Sequence, residues 1–176
     1  MSEEQRETRS GRGRPPGGDR GGSSKLGSLA LGLGLVLGLS CGAALAGGDW
    51  NDGKIQWQPY EKGLAAAKAQ KKLVCLVFHT EWCPHCKSYS GVFHDARVVE
   101  QAKRFVMIRV DRDTNRELSK QYAPDGEYIP RTYFLSSQGK LDPEIHADRS
   151  DYKYFYDEKD PTSLLAGMDA ALKKLH

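Results

Sequence analysis

Cys83 and Cys86 are the residues whose type and spacing most directly imply chemistry: two thiols separated by two residues, in Trp82-Cys83-Pro84-His85-Cys86. If a helix starts at the first, the second lies one turn later and within bonding reach. Such a pair can cycle between dithiol and disulfide. A helix N-terminus leaves N–H groups unpartnered, and these together with the helix dipole stabilise a thiolate at Cys83. Pro84 has no N–H to lose and fits the first turn. His85, when protonated, sets positive charge beside the thiolate. A stabilised thiolate is a better leaving group and makes the disulfide more oxidising. Cys83 is therefore expected to be the exposed nucleophile and Cys86 the shielded resolving thiol, with Trp82, Pro84 and His85 tuning the pair.

Other uses of this spacing fit less well. Half of a zinc site has the same spacing, but zinc needs four ligands and usually a second pair. No second C-x-x-C is present, and His79, His85 and His94 lack a metal-ligand spacing, so neither metal nor cofactor is expected. A purely structural disulfide across so short a loop would constrain the unfolded chain little. Cys75, inside an apolar run, reads as a small core hydrophobe. His79 either tunes the thiols or simply ends a strand. His94 and His146 read as surface residues, Met107 and Met168 as core.

These thiols need a strand before them and a helix after them, and the pattern supplies both. Leu73-Val-Cys-Leu-Val-Phe78 is a continuous apolar run rich in β-formers, expected as a central parallel strand covered on both faces. A helix is expected from the cysteines to about Lys103. Lys54-Ile-Gln-Trp57 reads as a short strand. Pro59 then opens an alanine-rich helix running to about Lys72. Phe105–Val110 is a second buried strand, Thr114–Tyr122 a short helix and Thr132–Leu135 a third strand. Ser137-Gln-Gly-Lys140 reads as a hairpin turn into a strand near Leu141–His146, followed by a loop over 147–160. Asp160-Pro161 caps a final amphipathic helix carrying Leu164, Leu165, Met168, Ala171, Leu172 and Leu175.

Composition divides the 176-residue chain. Residues 1–25 are rich in Gly, Arg, Pro and Ser and read as a disordered leader. Residues 26–46 form a charge-free Leu/Gly/Ala run ending in Ala44-Leu45-Ala46, the pattern of a signal peptide cleaved after Ala46. Lipidation at Cys41 and retention of the run as a membrane anchor are the alternatives. Each predicts an extracytoplasmic domain, where disulfide chemistry is possible. Residues 47–53 read as a linker and 54–176 as one domain. Six Lys/Arg and four Asp/Glu fall in the first 46 residues, so most of the net charge of +3 sits there. The remaining, nearly neutral chain gives no basic face for nucleic acid.

The segment Trp82-Cys83-Pro84-His85-Cys86-Lys87 resembles the thioredoxin superfamily, and its Pro-His dipeptide is similar to that of the oxidising DsbA-type enzymes. Pro124-Asp-Gly-Glu-Tyr-Ile-Pro-Arg131, and Pro143-Glu-Ile145 followed by Tyr152-Lys-Tyr-Phe-Tyr156, are similar to the thioredoxin domain-containing protein 12 and anterior-gradient group. The resemblance covers about residues 54–175. It implies an α/β thioredoxin fold with a central mixed sheet flanked by helices, and disulfide exchange with protein thiol/disulfide substrates and a redox partner. It also implies that Pro130 is a cis-proline facing the active-site disulfide, exposing the backbone of Ile129 to an extended substrate. Val77 stands where thioredoxins place a buried acid, so a proton acceptor for Cys86 is either missing or supplied by another group. The chain ends Lys173-Lys-Leu-His176 without an ER-retention tail, which points to a periplasm or secretion. Members with a single active-site cysteine suggest the rival reading, a client-binding module with little redox turnover.

Overall fold

The computed structural model describes residues 48–175; the expected leader, the apolar run, Ala46 and Cys41 lie outside them. Within that span the chain forms β1 (Trp57–Gln58), α1 (Tyr60–Gln70), β2 (Leu73–His79), α2 (Pro84–Ser90), a 3-10 turn (Gly91–His94), α3 (Ala96–Ala102), β3 (Phe105–Asp111), α4 (Arg116–Gln121), β4 (Arg131–Leu135) and α5 (Thr162–Lys174). The strands lie in the order β1-β3-β2-β4. β1, β3 and β2 run parallel, and β4 pairs antiparallel with β2.

β2 is buried at every position, as its unbroken apolar run predicts. Side chains alternate across a strand. Cys75 and Val77 therefore join Phe105, Met107 and Phe134 in a core under α2, α3 and α5. Val74, Leu76 and Phe78 face the other way, with Val106, Ile108, Tyr133 and Ala67 of α1. Two glycines permit close contact between layers. A Cβ at Gly63 would stand 2.4 Å from Ile108 Cγ1, and one at Gly167 would stand 2.7 Å from Phe134 Cε2. Met107 and Met168 are core residues as expected.

Three element boundaries differ from the sequence reading. The expected strand at Lys54–Trp57 is a turn closed by Asn51 O, which accepts from the N–H groups of Lys54 and Ile55 at 2.9 Å. Only Trp57–Gln58 pairs with β3. The helix expected to run to Lys103 breaks at Gly91–His94 and restarts where Asp95 accepts from the Arg97 N–H at 2.8 Å. That side-chain oxygen satisfies a free helix-start donor, which is why a new helix begins there. The strand expected at Leu141–His146 shrinks to a single bridge between Leu135 and Leu141. The turn before it forms, with the Ser136 N–H on Lys140 O at 2.9 Å. Pro143 then lacks the N–H that a longer ladder needs.

The segment 142–160 is irregular but anchored. Tyr154 enters one core and Tyr156 the other. The Lys153 N–H donates to Asp125 Oδ2 at 2.7 Å, and the Tyr154 N–H donates to Tyr128 Oη at 3.0 Å. The Thr132 N–H donates to Tyr154 O at 2.8 Å. The two stretches that carried the finer family resemblance are thus hydrogen-bonded to each other beside β4.

Candidate active site

Cys83 is the N-cap of α2, and Pro84 occupies its first turn as expected. Cys83 Sγ accepts from the Cys86 N–H at 3.1 Å, a donor that the helix start leaves free. On its other side it lies 3.9 Å from the carbonyl oxygen of Ile129. The Ile129–Pro130 bond is cis, so Pro130 stands where the resemblance placed it. The expected contrast in exposure is absent: Cys83 is 2% exposed and Cys86 1%. Sγ of Cys83 turns back over the helix start while the Ile129–Pro130 segment covers its outer side. What separates the thiols is their electrostatic setting. Burial pushes the Cys86 thiol far up, and the hydrogen bond with Cys83 adds to this, against a Thr80 backbone hydrogen bond and the charge of Arg112. Cys75 is also pushed far up by burial, as fits a core residue.

Trp82 is 63% exposed beside the thiols. Its Nε1 donates to Asp113 Oδ2 at 2.6 Å, and the Arg112 guanidinium stacks 5.7 Å from its ring centre. His85 Nδ1 lies 2.7 Å from Glu158 Oε2, a contact across 73 residues of sequence. Val77 is fully buried in β2 and gives Cys86 no proton acceptor. Next to the cis-proline, Arg131 is fully buried. Its Nη1 donates to Tyr122 O at 2.9 Å and Gly126 O at 3.0 Å, and Nη2 donates to the side-chain and backbone oxygens of Ser119. Sequence reasoning missed both Arg131 and Glu158. The motif around Pro130 contains Arg131, but nothing in the sequence marked its burial or tied Glu158 to His85.

His79 is 5% exposed and packs 5.1 Å from the Trp50 ring, with Nδ1 unpartnered. His79, Glu81 and Asp111 each bring one possible ligand atom within 4.8 Å of the others. Asp111 Oδ1 already accepts from the Thr114 N–H at 3.0 Å, and Glu81 is exposed. The group therefore reads as polar side chains gathered at the end of the sheet rather than as a metal centre. Burial, then Arg109, lowers the His79 pKa, with Asp111 and Glu81 opposing. The folded protein thus keeps His79 neutral where the unfolded chain begins to bind a proton, at about pH 6.5 and below. This contribution to stability is complete above that pH and is lost as pH falls toward the lowered folded value. Thermal melts should show stability falling as the pH drops below about 6.5, and falling less in His79→Gln. Equal slopes in the two proteins would assign the loss to other groups. Asp95, Asp113 and Asp160, whose pKa values lie below the ordinary value, act in a more acid window.

A mixed sheet between two helical layers, with a cysteine pair at the β2–α2 junction facing a cis-proline, defines a thioredoxin-like disulfide oxidoreductase. The chain belongs to the anterior gradient group of the thioredoxin-like family. The family model described as thioredoxin-like matches residues 56–137. Human anterior gradient protein 2 homolog is 31% identical over 127 residues, covering 72% of this chain and 71% of that protein. Xenopus tropicalis anterior gradient protein 3 is 31% identical over 130 residues, covering 72% and 76%. The solution structure of a Thermus thermophilus thioredoxin shares the fold, with a TM-score of 0.52, 23% identity, and 69% and 89% of the two chains covered.

Proposed function

We propose that the protein exchanges disulfides with protein substrates outside the cytoplasm through Cys83 and Cys86, in the oxidising or isomerising direction. The observation that carries this reading is the setting of Cys83 Sγ, between the Cys86 N–H at 3.1 Å and the Ile129 carbonyl at 3.9 Å. The N–H favours a thiolate, and the Ile129 backbone offers an extended polypeptide an edge to pair with. The apolar run ending in Ala44-Leu45-Ala46 supports export, by cleavage there or by attachment to a membrane. Among the described residues, no helix is long and apolar enough to cross a membrane.

In the reducing half-cycle the Cys83 thiolate attacks a substrate disulfide. A Cys83–substrate bond forms as the substrate S–S bond breaks, and one substrate sulfur leaves as a thiolate. Cys86 then loses its proton and attacks Cys83 Sγ. The Cys83–Cys86 bond forms and the second substrate thiolate leaves. The reverse sequence oxidises a substrate dithiol. The geometry times the second step. Negative charge on Cys83 raises the Cys86 pKa, and that charge disappears in the mixed disulfide. Cys86 is then easier to deprotonate, with Arg112 and the Thr80 backbone bond favouring its thiolate.

Equilibration with glutathione tests the direction. The wild-type potential is expected between the values of about −270 mV for thioredoxin and about −120 mV for DsbA. His85→Ala removes the positive charge that the ring sets beside Cys83 whenever it is protonated, so the potential should become more negative, with the equilibrium constant changing roughly three- to tenfold. A wild-type value at or below that of thioredoxin would overturn the oxidising direction.

A further inference from the structure

We propose that Glu158 is a positioning residue of the redox site: its carboxylate holds His85 and sets the net charge that the Cys83 thiolate meets. The inference rests on the disulfide-exchange reading of Cys83 and Cys86. Glu158 Oε2 lies 2.7 Å from His85 Nδ1, and the carboxylate side chain is 18% exposed against 62% for the imidazole. The acid is therefore the better-anchored partner, and the exposed ring docks on it.

The chain around Glu158 is fixed independently of His85. The Asp157 N–H donates to Ser163 Oγ at 2.8 Å, and Asp157 Oδ1 accepts from the N–H groups of Lys159 at 2.8 Å and Asp160 at 3.0 Å. These bonds tie the turn to the start of α5. A second contact comes from the same segment. Phe155 meets the His85 ring edge-on at 6.0 Å between centres, while the Arg149 guanidinium stacks 5.0 Å from Phe155 and donates to its carbonyl at 3.1 Å. The segment 149–158 thus clamps the residue between the two cysteines from one side. Glu158 and Arg149 are charged members of this clamp.

The sign follows from charge. When His85 is protonated, its charge and that of Glu158 cancel beside Cys83. When His85 is neutral, the ring no longer offsets the carboxylate. In either state Glu158→Gln makes the surroundings one unit more positive, which favours the thiolate and so the reduced form. Reduction by glutathione breaks the Cys83–Cys86 bond, forms two thiols on the protein and joins two glutathione molecules in a disulfide. Two electrons and two protons move to the protein.

The experiment equilibrates the full chain with glutathione at about pH 8.5, well above the ordinary imidazole value of about 6.5. Four proteins are compared: wild type, Glu158→Gln, His85→Ala and the double variant. Glu158→Gln should move the equilibrium three- to tenfold toward the dithiol, which is about 15 to 30 mV less negative. The turn that carries Glu158 is anchored without His85, so in the His85→Ala background the same change should keep most of that effect. An unchanged constant, or an effect that vanishes in the His85→Ala background, overturns the charge role of Glu158 while leaving exchange intact. A wild-type protein that never equilibrates with glutathione overturns the exchange reading beneath it.

Discussion

Cys83→Ser abolishes disulfide exchange with a protein substrate, lowering its rate by at least about two orders of magnitude, whereas Cys86→Ser keeps the first step and accumulates mixed disulfides. The asymmetry follows from where each sulfur stands. Cys83 Sγ receives the Cys86 N–H and borders the Ile129 edge, so it is the sulfur an incoming disulfide meets. Cys86 lies inside the helix, and burial holds it as a thiol. Loss of the nucleophile in a covalent mechanism removes both chemical steps. Loss of the resolving thiol removes only the second. Brief alkylation of the reduced protein, read by mass spectrometry, checks the same assignment. Cys83 should be labelled before Cys86 and Cys75, because only thiolates react rapidly, Cys83 Sγ receives the Cys86 N–H, and burial raises the pKa of the other two with no such donor to offset it at Cys75 and too little at Cys86. First labelling of Cys86 would reverse the roles, and equal exchange by wild type and both serine variants would leave a client-binding module.

Much of this arrangement is legible in local sequence. The apolar run Leu73–Phe78 dictates a strand buried on both faces, and a cysteine pair after it, with proline at the second position, dictates a helix start. Those are short-range rules, and the structure obeys them at β2 and α2. The departures occur where one residue's gain or lack of a hydrogen-bonding group outweighs the apolar pattern. Asp95 caps a new helix inside what reads as one continuous helix, and Pro143 ends a ladder that the hairpin turn begins. The exposure of Cys83 could not be read locally, because its cover comes from Ile129, 46 residues away. Glu158 lies farther still from His85, in a loop whose polar sequence has no period that assigns it a partner. Arg131 was hidden for another reason: arginine is ordinarily a surface residue, and its buried position depends on three carbonyls presented by α4 and the turn after it.

That buried guanidinium leads to the second large effect. Arg131→Met should lower the stability of the domain by about 2 to 3 kcal/mol, a fall in Tm of roughly 10 °C for a domain of this size. Two opposing contributions decide the sign. Burying a lone charge is costly, and replacing buried charges by apolar groups is often neutral or stabilising. No carboxylate among the described residues forms an ion pair with Arg131. Its compensation comes instead from acceptor oxygens on Ser119, Tyr122 and Gly126, and from the faces of Phe78 at 5.2 Å and Tyr128 at 5.9 Å. Methionine fills much of the volume but satisfies none of these oxygens. Gly126 is exposed and can turn to water, while Ser119 is fully buried and cannot. The lost charge-assisted bonds and the orphaned serine therefore outweigh the relief from desolvation. The consequence for function is local. Arg131 follows Pro130 directly and fixes the turn leading into Ile129, so its loss should loosen the edge beside Cys83. Exchange with a protein substrate should fall several-fold more than reaction with a small aromatic disulfide, which needs the thiolate but not the edge. Arg131→Lys restores a charge and a donor without the fork and should recover only part of either effect. A Tm that stays level or rises in Arg131→Met would show that desolvation wins and that the guanidinium burdens the fold. An equal loss toward both disulfides would detach Arg131 from the substrate edge.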